Sequence, residues 1–405
     1  MDRFRSISTR HTHYVLRITQ YVIRTTHHAP RITHYVLRIA WSVLLLAGCQ
    51  FPAPVQPTVK IGLVAPFEGR YRYVGYDVIY AVRLALREAN ALGGVGGYGV
   101  ELVAYDDGAN PVMAVEQARK LAVDPAVVAV VGHFREETTV AALSAYVDAG
   151  ISLVAPAVLD PALAGGGSGT WHSYRVGPSA DAVASALLQQ IDRLGRDRVA
   201  LLTEGGPLGA ALQRNAPETL VILTVSPRDL DWLARVQDSG VRAIVCDLDP
   251  VTCGEVVAEL RGAGWEGDFL GGPELAAPDF CAVAGQAAEG VVFVTPWPLP
   301  ADVPGGEDFV KAYRVVSNGV PPGRLALPAY EATWLLLGAL ERDIAVHGDP
   351  TREGVAETLS GASRTGPLGL ITFDASRAWG DAPLYWYRVG TDGAVEPIRT
   401  GTTAS

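Results

Sequence analysis

Lysine is nearly absent from this chain. Only Lys60, Lys120 and Lys311 stand among 33 basic residues, a bias read as genomic base composition. No uninterrupted apolar run reaches the roughly 18 residues that a spanning helix needs, which excludes a polytopic membrane protein. Four cysteines occur and none forms a C-x-x-C pair, so neither a zinc site nor a thioredoxin-like site is indicated. No H-E-x-x-H and no G-x-S-x-G is present, and Gly165–Gly169 lacks the Lys of a phosphate loop. Without a nucleophile–base pair the chain is not expected to be an enzyme, and no cofactor or metal is expected. Charged residues make up 19% against 49% hydrophobic, a balance that excludes wholesale disorder.

What is present is unevenly placed. Residues 1–48 carry seven Arg and one Asp, whereas the remaining 357 residues hold 26 basic and 42 acidic side chains, a balance of −16. An acidic body argues against nucleic acid, because phosphates need a cationic face. At 405 residues the chain exceeds what one core usually serves, so two domains are expected.

Within residues 1–48, Arg recurs at every seventh position from Arg10 to Arg38, and Thr12–Ile18 repeats as Thr33–Ile39. A seven-residue period is also the coiled-coil signature, but β-branched residues are frequent and Pro30 interrupts. The repeat is read instead as a translated DNA repeat upstream of the true start, in front of a signal segment. Ile39–Ala47 behind a basic flank suits the apolar region of a signal peptide. Leu46-Ala47-Gly48-Cys49 resembles the lipobox of bacterial lipoproteins, with Cys49 as the lipidated thiol; Gln50–Pro57 completes a tether over 49–57. If Cys49 is acylated, Cys246, Cys253 and Cys281 remain and at least one thiol stays free. These three read as small core residues, with any disulfide left open.

From Val59 onward strands and helices alternate. Strands are expected at Val59–Ala65, Val100–Tyr105, Ala126–Val131 and Ile151–Ala155, with helices at Tyr76–Leu92, Pro111–Val123 and Glu136–Ala149. The cycle restarts with a helix at Asp181–Leu194 and a strand at Arg198–Leu202. It ends in helices at Glu307–Ser317 and Pro328–His347 and strands at Leu370–Phe373 and Leu384–Val389. Alternating β and α units mean a parallel sheet with right-handed crossovers. Gly93–Gly99 follows a helix and precedes a strand, the reverse of a dinucleotide loop. Asp106-Asp107 reads as a solvated, capping turn in preference to an acid–base pair.

The words Val59–Pro66, Asn90-Ala-Leu-Gly-Gly-Val-x-Gly97, Val100–Asp107, Asn110-Pro111, Val130–His133, Gly271-Gly272 and Ala287–Gly290 together resemble one family. It is that of the type I periplasmic solute-binding proteins, in the leucine/isoleucine/valine-binding branch that serves ABC transporters. The closing Gly366–Asp374 and Tyr385–Gly393 fit its last hairpin. The resemblance implies an α/β fold of two doubly wound parallel-sheet lobes. They would be joined by a three-crossover hinge near 177, 296 and 366. The N-lobe would take 58–177 plus 296–366, and the C-lobe 178–295 plus 367–400. It also implies an extracytoplasmic protein anchored to the cell membrane as a lipoprotein. Such a protein captures a small polar metabolite, an amino acid or analogue, for an ABC permease. A ligand sensor that signals to a partner is the alternative on the same fold.

Strand-end positions then supply the candidate ligand residues: Tyr71, Tyr73, Phe134, Glu136, Thr138, Leu159, Thr203, Glu204, Asp249 and Glu274. The resemblance places Glu136 where the family has a carboxylate-binding Ser, Leu159 where it has a Thr, and Leu208 where it has a Tyr. Pro273 falls on the ammonium-binding acid, with Glu274 next door. Ala109 and Arg135 occupy the places of a disulfide found in some relatives. Glu136 is either a helix-terminal acid favoured by the dipole or a holder of the ligand's cation, and Thr138 or Thr139 offers a replacement hydroxyl. Tyr71, Tyr73 and Phe134 are either stacking groups or rim aromatics. Arg70, Arg72 and Arg135 are the nearby counter-charges. Trp297 is read as a hinge packing residue.

Overall fold

The computed structural model describes residues 56–159 and 173–398. The leader, Cys49 and the glycine-rich loop 165–169 lie outside the described residues. Among the described residues no helix is long and apolar enough to cross a membrane.

The first sheet is built from β1 (Thr58–Ala65), β2 (Gly99–Asp106), β3 (Val127–Gly132), β4 (Ser152–Ala155) and β5 (Ser173–Arg175), in the order β2-β1-β3-β4-β5. All its pairings are parallel. Its inner strand β3 is a continuous apolar run because both faces are covered, whereas the edge strand β2 is only partly buried and carries Glu101. Ile61 and Leu63 point into one core cluster, while their neighbour Val64 points into another. The connecting helices are α1 (Arg72–Ala91), α2 (Pro111–Val123) and α3 (Glu136–Asp148). Helix α1 begins a turn earlier than the apolar periodicity predicts and ends as expected at Gly93-Gly94. Both glycines have positive φ, and the Gly94 N–H returns to the Ala89 carbonyl at 3.0 Å. Helix α2 starts where Asn110 Oδ1 accepts the Val112 N–H at 2.9 Å and Pro111 needs no donor.

The chain then leaves for a second sheet. Helix α4 (Ala180–Arg193) leads to β6 (Arg198–Thr203), α5 (Pro207–Asn215), β7 (Val221–Val225), α6 (Trp232–Asp238) and β8 (Ala243–Asp247). Next come α7 (Pro250–Gly262), β9 (Asp268–Gly271), α8 (Pro278–Ala284) and β10 (Val292–Thr295). Three helices follow: α9 (Gly306–Val316), α10 (Ala326–His347) and α11 (Arg352–Leu359). Helices α9 and α10 pack on α1, and α11 packs on α10 and β3. Arg352 fixes α11 there by donating to the carbonyls of Val127, Ala149, Ala122 and Asp124 at 2.8–3.1 Å. The last strands are β11 (Ser363–Gly366), β12 (Gly369–Thr372), β13 (Tyr385–Val389) and β14 (Val395–Pro397).

Three expectations need correction. The second sheet, in the order β7-β6-β8-β9-β10-β13-β14, is parallel only through β10; β13 and β14 add antiparallel at the edge. The closing segments do not pair with one another: β11 and β12 form their own hairpin, while β13 joins β10. The third crossing therefore does not occur near 366. Ile371 is buried in the core, Arg364 Nε donates to the buried Glu331 of α10 at 2.8 Å, and Ala378 bridges to Arg175 in β5. The chain stays beside the first sheet at least that far and enters the second sheet at Tyr385. The physical reason is the Arg364–Glu331 ion pair, which ties the hairpin to α10. Helices α5, α8 and α11 and strands β5, β11 and β14 are additions to the pattern read from the sequence.

The other two connections meet at Trp297. It is 2% exposed, and its Nε1–H donates to the Val176 carbonyl at 3.0 Å. A Cβ on Gly177 would lie 3.4 Å from the indole, so the small residue lets the connections run side by side.

Candidate ligand-binding site

In the first sheet the chain runs from β1 outward to β2 and then returns to β3 on the other side of β1. The segments after β1 and β3 diverge at their carboxyl ends and leave a crevice, the usual ligand position on doubly wound sheets. The second sheet does the same with β6, β7 and β8. Both crevices open into one cavity of about 740 Å³, within the range of small-molecule sites. Tyr71, Phe134, Arg135 and Glu136 line it from the first sheet, Glu204, Leu208, Asp247, Asp249 and Glu274 from the second, and Trp297 from the connection.

Seven of the ten residues expected from the sequence line this cavity: Tyr71, Phe134, Glu136, Leu159, Glu204, Asp249 and Glu274. Tyr73, Thr138 and Thr203 are not among its lining residues. The Tyr73 hydroxyl is buried without a hydrogen-bond partner among the described residues, and burial raises its pKa. Thr138 and Thr139 are buried and turn their hydroxyls back onto the Arg135 carbonyl, at 3.2 and 2.6 Å. Thr203 Oγ1 donates to Asp247 Oδ2 at 3.0 Å.

Most of the cavity charge is neutralised by the protein. Glu204 pairs with Arg228 at 2.6 Å, Glu274 with Arg324 at 3.2 Å and Glu137 with Arg135 at 3.5 Å. Asp249 caps α7 and pairs with Arg70. Arg135 also places its guanidinium 3.8 Å from the centre of the Tyr71 ring, a cation–π contact. Glu136 begins α3, and its carboxylate accepts the Leu159 N–H. Two of these pairs, Arg70–Asp249 and Arg324–Glu274, join segments beside the first sheet to loops of the second.

Asp107 corrects the reading of the carboxylate pair as solvated. Asp107 is fully buried and lies 2.7 Å from His133 Nδ1, whose other ring nitrogen is 3.0 Å from the Tyr146 hydroxyl. Asp106 does cap, accepting the N–H groups of Phe67 and Gly108 at 2.8 Å. Cys246 and Cys253 are joined in a disulfide, while Cys281 is free and half-buried.

Sequence reasoning missed Asp247. It chose Asp249, two residues beyond the last residue of β8; the turn Gly205-Gly206-Pro207 facing that strand end was the available signal.

The fold is matched by the comparisons. The sequence profile described as "Periplasmic binding protein" covers residues 58–394. This chain belongs to that family. It is 26% identical over 349 residues to the Leu/Ile/Val-binding protein homolog 2 of Brucella abortus (strain 2308), covering 83% of this chain and 92% of the relative. Its fold matches the branched-chain amino acid transporter substrate binding protein LivJ of Streptococcus pneumoniae, in complex with isoleucine. There the TM-score is 0.74 at 22% identity, with 84% of this chain and 99% of the other covered. An ABC transporter substrate-binding protein of Desulfitobacterium hafniense, in complex with Leu, gives 0.70 at 25% identity, covering 84% and 100%. The type I periplasmic fold and the family resemblance are thus established, and the relatives are binding proteins, not enzymes.

Proposed function

We propose that this chain captures an amino acid or close analogue in the cavity between its two sheets and delivers it to an ABC permease. We place it outside the cytoplasm, tethered to the membrane through lipidated Cys49. The observation that carries the reading is the cavity of about 740 Å³ at which both topological switch points meet. Its lining supports an amphipathic solute: Phe134, Leu159, Leu208 and Trp297 offer apolar surface beside carboxylates and Arg135. The amino-acid names of the curated relatives support the same class. Arg135 and the first N–H groups of α3 would hold a carboxylate. A carboxylate on the facing wall would hold an ammonium group.

A thermal-shift screen over amino acids, amides, polyamines and small organic acids tests this. A ligand at 100 times its Kd adds about 2.7 kcal/mol of stability, so an amino acid should raise the melting temperature clearly. Shifts with organic acids alone would remove the amino-acid reading; no shift with any compound would remove solute capture.

A further inference from the structure

The acids of the cavity are not equivalent. Glu137, Glu204, Asp249 and Glu274 each have an arginine partner within the protein, and Glu136 accepts the Leu159 amide. Asp247 has no ion-pair partner among the described residues, although it lines the cavity as the last residue of β8. Both of its protein donors, Thr203 Oγ1 at 3.0 Å and Gly209 N–H at 2.8 Å, go to Oδ2. No described donor reaches Oδ1. The neighbouring turn is shaped around this carboxylate. A Cβ would sit 3.0 Å from Oδ2 on Gly206 and 2.7 Å from it on Gly209, so glycine lets the start of α5 close over it.

Resting on the function proposed above, we infer that Asp247 is the acceptor for the ligand's ammonium group, so that this cavity selects solutes bearing a primary amine. An ammonium hydrogen-bonded to Oδ1 would supply the one missing partner at the β6–β8 switch point while Oδ2 keeps its two protein bonds. Charge-assisted bonds of this kind are the strong ones. The electrostatics agree: burial, helped by the nearby Glu274 charge, holds the Asp247 carboxyl above its ordinary range, against the two bonds that favour the anion. A bound cation relieves that penalty. The competing account is that Asp247 only ties β8 to the turn after β6.

Asp247→Asn separates the two. The amide oxygen can still accept from Thr203 and Gly209, which keeps the tie, while the amide N–H₂ is turned to the cavity and opposes an ammonium. The probes are leucine, its 2-oxo acid, and putrescine, measured by calorimetry on wild type and variant. Leucine reports an α-ammonium, putrescine a chain-end ammonium, and the oxo acid a carboxylate without either. Wild type should bind at least one of the two amines and not the oxo acid. Asp247→Asn should weaken amine binding about 10- to 100-fold without lowering the melting temperature. Oxo acid binding to wild type as tightly as leucine overturns the assignment while leaving solute capture intact, and needs no variant. So does amine affinity within about threefold of wild type in Asp247→Asn. A wild type that binds none of the three overturns the assignment; the wider screen above then decides whether solute capture falls with it.

Discussion

Arg324 and Glu274 are ion-paired at 3.2 Å, Arg324 just ahead of α10 beside the first sheet and Glu274 just after β9 in the second. Arg324 is only 5% exposed, and its Nε and Nη1, like Glu274 Oε2, have no hydrogen-bond partner among the described residues. Such a pair costs desolvation, and removing one partner strands the other. Glu274→Gln alone should therefore lower stability by about 1–3 kcal/mol in urea unfolding. Combining it with Arg324→Met should recover most of that loss. Strictly additive losses in the double variant would show that the two groups are not coupled.

The turn bearing Arg324 is held by Asp77, whose two oxygens accept the N–H groups of Gly323 at 2.7 Å and Leu325 at 2.8 Å. Burial pushes the Asp77 carboxyl up to about 6 from 3.8, against those bonds and the Arg324 charge. A folded pKa above the unfolded one means that the folded state binds the proton more tightly. The stability from this group is full below about 3.8 and is lost as pH rises through about 6. Other carboxylates, such as Asp124 and Asp181, have lowered pKa values and act in the opposite sense. The test is the difference between wild type and Asp77→Asn in thermal melts across that window. The advantage of wild type should shrink as pH rises through the window. A constant difference would exclude Asp77 as the titrating group.

What the sequence revealed follows the range of the forces involved. Strands such as Val127–Gly132 were legible because burial on both faces turns them into valine runs. Helix α2 was legible because Asn110-Pro111 is a local start signal. Helix α11 was not, since Thr351 Oγ1 accepting the Gly354 N–H at 2.9 Å is a short-range cap with little apolar periodicity behind it. The hairpin β11–β12 misled because its place depends on Arg364 reaching Glu331, a contact 33 residues away. The same holds in the cavity. Strand-end reasoning found Glu204 and Asp249, but only the folded chain reveals that Arg228 and Arg70 already neutralise them while Asp247 has no cationic partner among the described residues.

The proposed anchor is tested without reference to ligand. Cys49→Ser should move the protein from the membrane fraction to the soluble extracytoplasmic fraction, because acyl chains supply the membrane affinity at about 0.8 kcal/mol per buried methylene. Unchanged fractionation would remove the lipoprotein reading and leave the binding fold untouched.

Glu136 closes the comparison of the two cavity walls. It starts α3, where a negative charge is favoured, and its carboxylate accepts the Leu159 N–H. Leu159 is 7% exposed, so its amide has little water to fall back on. Glu136→Ala should cost about 1–2 kcal/mol by leaving that amide unsatisfied, whereas Glu136→Gln keeps an acceptor and should cost only a few tenths from the lost charge at the helix end. Urea unfolding of the two variants separates these terms. On ligand binding, Glu136→Gln should change amine affinity by less than about threefold, because its carboxylate already serves the protein. If instead Glu136→Gln abolishes amine binding and Asp247→Asn does not, the ligand's cation lies against the first sheet, and the amine acceptor is Glu136.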